Sequence, residues 1–71
     1  MKLIIINGPN LNLLGIREKA IYGDATLDNL IGDLKKKYPS VNLEHYQSNF
    51  EGELIEKIQE VGFNYDGIII N

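Results

Sequence analysis

Two runs of branched aliphatics set the terms for this 71-residue chain: Leu3-Ile4-Ile5-Ile6 near its start and Ile68-Ile69-Ile70 near its end. Neither alternates with polar residues, so each reads as a strand covered on both faces. Strands of that kind belong to parallel sheets, whose connections must be long enough to hold a helix. The intervening sequence supplies two such connections. In the first, Thr26 stands as N-cap, Asp28 falls in the first turn, and Leu27, Leu30, Ile31, Leu34 and Tyr38 recur at helical spacing until Pro39 stops the helix. Val41 to Gln47 then alternates, with Val41, Leu43 and His45 on one face and Asn42, Glu44 and Tyr46 on the other, as suits a strand near a sheet edge. Ser48 or Asn49 is expected to cap a second helix. Glu51 and Glu53 favour its positive end, Leu54, Ile55, Ile58 and Val61 form its buried stripe, and Gly62 is expected at C′. Asp66-Gly67 turns into the last strand.

The expected order is therefore β-α-β-α-β in an α/β fold. We expect the first half of a doubly wound parallel sheet of flavodoxin-like type, with the first strand between the other two in the order 2-1-3. That order leaves the third strand as an apolar edge, which natural sheets avoid because it invites aggregation. Residues 1–71 are accordingly expected to be the N-terminal part of a single domain. A chain of this size makes a marginal core without staples, and with no Cys and one His neither disulfides nor the usual zinc spacings are available. The net charge of -3 argues against a nucleic-acid surface. Lys35-Lys36-Lys37 reads as the last turn of the first helix, where cations complement the dipole. No apolar run is long enough to cross a membrane, and Met1-Lys2 leads into a strand instead of a signal peptide, so a cytoplasmic protein is expected.

Polar clusters follow all three strands: Asn7 to Asn10, Gln47 to Asn49, and Asn71. In a parallel sheet these fall at one end, where open α/β sheets bind ligands. Asn residues also cap helices and make turns, and for Asn49 capping is the simpler reading. Gly8 and Gly15 bracket the first loop, but their spacing is wrong for a P-loop, no Lys-Ser or Lys-Thr follows, and G-x-G-x-x-G is absent. Arg17 and Tyr22 lie further along that segment. A free Tyr titrates near pH 10, so using one as a base at neutral pH requires stabilising its phenolate by roughly 4 kcal/mol. A guanidinium against the hydroxyl is one physical means. Spacing alone leaves the bland alternative in place, a surface-packed ring and a solvated charge. His45, mid-strand on the apolar face, reads as a hydrogen-bonded structural histidine.

The run Asn7-Gly8-Pro9-Asn10-Leu11-Asn12-Leu13-Leu14-Gly15, then Arg17-Glu18, Tyr22-Gly23, Gln47-Ser48-Asn49 with Glu51-Gly52, and Gly67-Ile68-Ile69-Ile70-Asn71, closely resembles type II 3-dehydroquinate dehydratase, the shikimate-pathway dehydroquinase with a flavodoxin-like fold. The match spans the whole chain in order and register. It implies that Tyr22 is the general base removing a proton from C2 of 3-dehydroquinate in an anti elimination of water, and that Arg17 is the lid arginine stabilising the tyrosinate. It further implies that Asn10 holds a water against the enolate oxygen, that Asn71 binds substrate, and that residues 15–23 form a lid. No metal or organic cofactor is implied, and the assembly implied is a homo-oligomer of trimers grouped into dodecamers.

Two positions depart from the family pattern: Lys19 stands where many members have Pro, and Phe50 where many have His. Enzymes of the family run to about twice this length, and their proton-donating His has no counterpart in these 71 residues. As a complete molecule the chain is expected to fold poorly and to lack dehydratase activity. The alternatives are a catalytically incompetent fragment and a flavodoxin-like binding domain.

Overall fold

The computed structural model describes residues 1–16 and 25–71. Its elements are β1 (Lys2–Asn7), a 3-10 turn (Leu11–Leu13), α1 (Leu27–Lys37), β2 (Asn42–Gln47), α2 (Glu51–Val61) and β3 (Gly67–Ile70). The three strands are parallel in the order β2-β1-β3, as the apolar runs imply. Register pairs Ile5 with His45 and Asn7 with Gln47 on one side of β1, and Ile6 with Ile70 on the other. The strands thus end nearly level.

Alternation along β1 divides the core between two layers. Ile4 and Ile6, with Val61, are buried on one face, against Tyr46, Leu54, Ile58, Tyr65 and Ile68. On the opposite face Leu3 and Ile5 line an apolar cleft of about 250 Å³ with Leu34, Tyr38, Leu43 and Ile69. Helices therefore cover both faces, the doubly wound arrangement. Coverage is uneven, however. The sequence suggests a fully covered β3, yet Ile69 and Ile70 remain 49% and 64% exposed. Among the described residues β3 has a strand on one side only, and within the α2-side core it is Ile68 that packs. Ile55, assigned from the sequence to the buried stripe of α2, is also exposed.

Helix α1 starts where the sequence places it. Thr26 Oγ1 accepts the Asn29 N–H (3.1 Å) while Asn29 Oδ1 accepts the Thr26 N–H (3.2 Å), a reciprocal capping box. Lys35, Lys36 and Lys37 form its last turn. The start of α2 differs from expectation. Phe50 occupies the N-cap position and its ring cannot cap, so Ser48 acts from two residues upstream, accepting the Phe50 N–H (3.0 Å) and donating to Glu53. Gly62 ends α2 in right-handed helical geometry (φ -57°), so the left-handed C′ role expected of it is not used. No helix among the described residues is long and apolar enough to cross a membrane.

Candidate active site

At the carboxyl end of the sheet the three loops are joined by a continuous set of hydrogen bonds. Beyond β3, the Asn71 N–H donates to the Ile6 carbonyl (2.9 Å) and the Asn71 carbonyl accepts the Gly8 N–H (2.9 Å), which prolongs the ladder past its last strand residue. From β2, the Ser48 N–H donates to the Asn7 carbonyl (3.2 Å), and Gln47 Nε2 donates to the Gly8 carbonyl (3.2 Å) and to Asn49 Oδ1 (3.1 Å). Asn49 Oδ1 also accepts the Asn10 N–H (2.9 Å). Asn10 itself has φ 70° and ψ -5°, a left-handed conformation that Asn tolerates better than other residues with a side chain. It precedes the 3-10 turn, but its side chain makes no capping bond and the residue is exposed.

Beneath this rim lies a polar chain that links β2, β1 and the residue just past β3. Asn7, 3% exposed, donates through Nδ2 to His45 Nε2 (2.9 Å) and accepts through Oδ1 from Asn71 Nδ2 (3.3 Å). That orientation, set by the hydrogen-bonding network, requires a neutral His45 with its proton on Nδ1. Burial lowers the His45 pKa; Asp28 pulls it up and Lys35 pushes it down, so the neutral form is favoured. Among the described residues no buried side-chain nitrogen or oxygen lacks a partner. A larger cleft of about 530 Å³ lies on the α2 face, lined by Lys2, Glu44, Tyr46, Lys57, Glu60 and Tyr65. Its groups are occupied with one another: Tyr65 donates to Glu44, which raises the Tyr65 pKa, and Lys57 pairs with Glu60 at 3.3 Å. Of the residues singled out from the sequence, Asn10, Gln47, Asn49 and Asn71 lie at the strand ends instead.

A family model described as dehydroquinase class II matches residues 1–71, the whole chain. The chain belongs to that family. It is 55% identical over 73 residues to the 3-dehydroquinate dehydratase of Prochlorococcus marinus (strain MIT 9301), covering 100% of this chain and 50% of that protein. The 3-dehydroquinate dehydratase of Helicobacter hepaticus is 51% identical over 74 residues, covering 100% of this chain and 47% of its own. The crystal structure of type II dehydroquinase from Butyrivibrio crossotus superposes with a TM-score of 0.89 at 53% identity, covering 100% of this chain and 51% of that one. The chain thus spans about half the length of the relatives it matches.

Within this dehydroquinase half-sheet, Asn10 and Asn71 lie on adjacent loops, connected through the Gly8–Asn71 bond. Arg17 and Tyr22, and all of the expected lid beyond Gly15 and Ile16, lie outside the described residues. Gly15, one residue before the described part of the loop ends, is buried and at φ 77°, where a glycine is favoured. Two participants are not evident from the sequence. Asn7 opens a polar loop cluster there, yet it is a buried link between His45 and Asn71. Asn49 reads from the sequence as one of two candidate caps of α2, with Ser48, yet its side chain accepts the Asn10 backbone N–H.

Proposed function

We propose that the protein to which these residues belong dehydrates 3-dehydroquinate to 3-dehydroshikimate. The observation that carries this reading is the family match over all 71 residues, together with a shared parallel half-sheet. In this reading Tyr22, as phenolate, takes the C2 proton, and the electron pair left behind is held as an enolate. Arg17 stabilises the phenolate. Asn10 holds a water against the enolate oxygen, and Asn71 binds substrate beside it. The hydroxyl on the neighbouring carbon then departs as water, with a proton from an acid outside these 71 residues. His45 is unsuited to that task, because its Nε2 is engaged with the buried Asn7 amide. Support for Asn10 comes from its exposed side chain, which is not spent on capping; support for Asn71 comes from its place on the same rim. The chemistry as proposed requires neither metal nor organic cofactor.

Residues 1–71 are proposed as the N-terminal part of one flavodoxin-like domain, whose further strands would pair on the free side of β3. The proposed setting is a cytoplasmic homo-oligomer, a dodecamer built from trimers, in the shikimate pathway and aromatic amino acid biosynthesis, acting on a small molecule and not on nucleic acid or membrane. By itself the 71-residue polypeptide is expected to be inactive, since it supplies a base but no acid.

The test is turnover of 3-dehydroquinate by the full-length protein, followed through the conjugated product. Tyr22→Phe, which removes only the hydroxyl, is expected to lower kcat by at least about a hundredfold with the fold intact, in the range that loss of a general base produces. Turnover close to wild type in that variant would sink the assignment.

A further inference from the structure

The loop after β1 holds Asn10 in a left-handed conformation, and few groups of that loop are free to be held from outside. The Gly8 N–H is taken by the Asn71 carbonyl, and Pro9 has no N–H. The Asn10 carbonyl accepts the Leu13 N–H within the loop (3.0 Å), while the Gly8 carbonyl and the Asn10 N–H are held from the end of β2: the first by Gln47 Nε2 (3.2 Å), the second by Asn49 Oδ1 (2.9 Å). Gln47 Nε2 also donates to Asn49 Oδ1 (3.1 Å), which orients the acceptor. Asn49 is not the N-cap of α2, and the cap contacts there belong to Ser48. From this geometry we propose that Asn49, oriented by Gln47, is the positioning residue that fixes the backbone of Asn10 and so aims its side chain at the reacting enolate.

This inference rests on the proposed role of Asn10 in the dehydration. Physically, a single carboxamide oxygen accepts from the Asn10 N–H on the loop after β1 and from Gln47 Nε2 at the end of β2, so the φ of Asn10 and its distance from the β2 end are set together. Without that oxygen the Asn10 N–H loses its partner, the left-handed conformation loses its restraint, and the Asn10 amide no longer points one way. Asn49 is exposed, so its truncation leaves the Ile4–Ile6 core intact.

The experiment uses the full-length protein with Asn49→Ala, Asn49→Asp and Gln47→Met, the last removing the Nε2 donor at similar length. Two quantities are read: hydrogen–deuterium exchange across residues 8–11, and steady-state kinetics with 3-dehydroquinate. Asn49→Ala is expected to speed exchange in this segment and lower kcat, each by about tenfold, with KM changed by less than about threefold and exchange in β1 unchanged. Asn49→Asp keeps an acceptor oxygen and should restore both quantities to within about threefold of wild type. Gln47→Met should fall between them. Wild-type exchange and kcat in Asn49→Ala would overturn the proposal. So would faster exchange without a fall in kcat, or failure of Asn49→Asp to rescue. Absence of turnover in the unsubstituted protein would instead remove the dehydratase reading, while the exchange arm still decides whether Asn49 restrains the loop.

Discussion

His45 shows how a single residue can be legible in kind and hidden in connection. Its place on an apolar strand face marks it as a structural, hydrogen-bonded histidine, which it is. Its partner depends on register: pairing of Ile5 with His45 brings Asn7, two residues further along the same face, against the ring. The consequence is a pH dependence of definite sign. Burial lowers the folded-state pKa below the ordinary value of about 6.5, so in the window beneath that value the unfolded chain binds more protons than the folded one. The stability contributed by neutral His45 is therefore present above about pH 6.5 and lost as pH falls through the lowered folded pKa. Urea unfolding at pH 7.5 and pH 5.5 should show a larger drop in midpoint for wild type than for His45→Gln, which has no proton to gain. Equal drops would mean that the ring is not held neutral.

Each helix start illustrates how far local signals reach. The α1 cap lies within four consecutive residues, Thr26 to Asn29: Thr26 caps as the sequence suggests, and the return bond from Asn29, which the sequence reading does not include, completes the box. Thr26→Ala should cost about 1 kcal/mol, within the 0.5–2 kcal/mol seen for lost N-caps, while Thr26→Ser should cost far less. The midpoint of chemical unfolding reads this directly. At α2 the local signal was ambiguous between Ser48 and Asn49, and neighbours decided it. Ser48 found Glu53 in the first turn of the helix that follows it, whereas the carboxamide of Asn49 found Gln47 beside it and Asn10 across the sheet end. Gly62 shows the opposite failure. A glycine after a helical stripe suggests a left-handed turn, but Asn64, donating its N–H to the Val61 carbonyl (3.0 Å) and its Nδ2 to the Glu60 carbonyl (3.3 Å), ties down this helix end with Gly62 still right-handed.

On the scale of the whole molecule, the described sheet has one well-covered strand and two edges. Ile6 is 1% exposed at the centre, whereas Ile70, its neighbour on β3, is mostly open. An exposed aliphatic edge of this kind drives association between chains. The 71-residue polypeptide on its own is expected to self-associate at micromolar concentration, and Ile70→Lys to reduce that association by about tenfold or more, as a charge on an edge strand does in natural sheets. Sedimentation velocity over a concentration series checks it, and an unchanged distribution in the variant would place the contact elsewhere. Sequence by itself determined the order of elements, their parallel arrangement and the family, because apolar runs, helical spacing and caps are local properties and the motif residues lie in short unbroken stretches. Only the tertiary structure decided which residues hold the strand-end loops together. Asn10 and Asn49 are 39 positions apart in the chain, and Asn7 and Asn71 are 64 apart. Their contacts exist because three parallel strands in one register end level, and no pattern along a single strand encodes that.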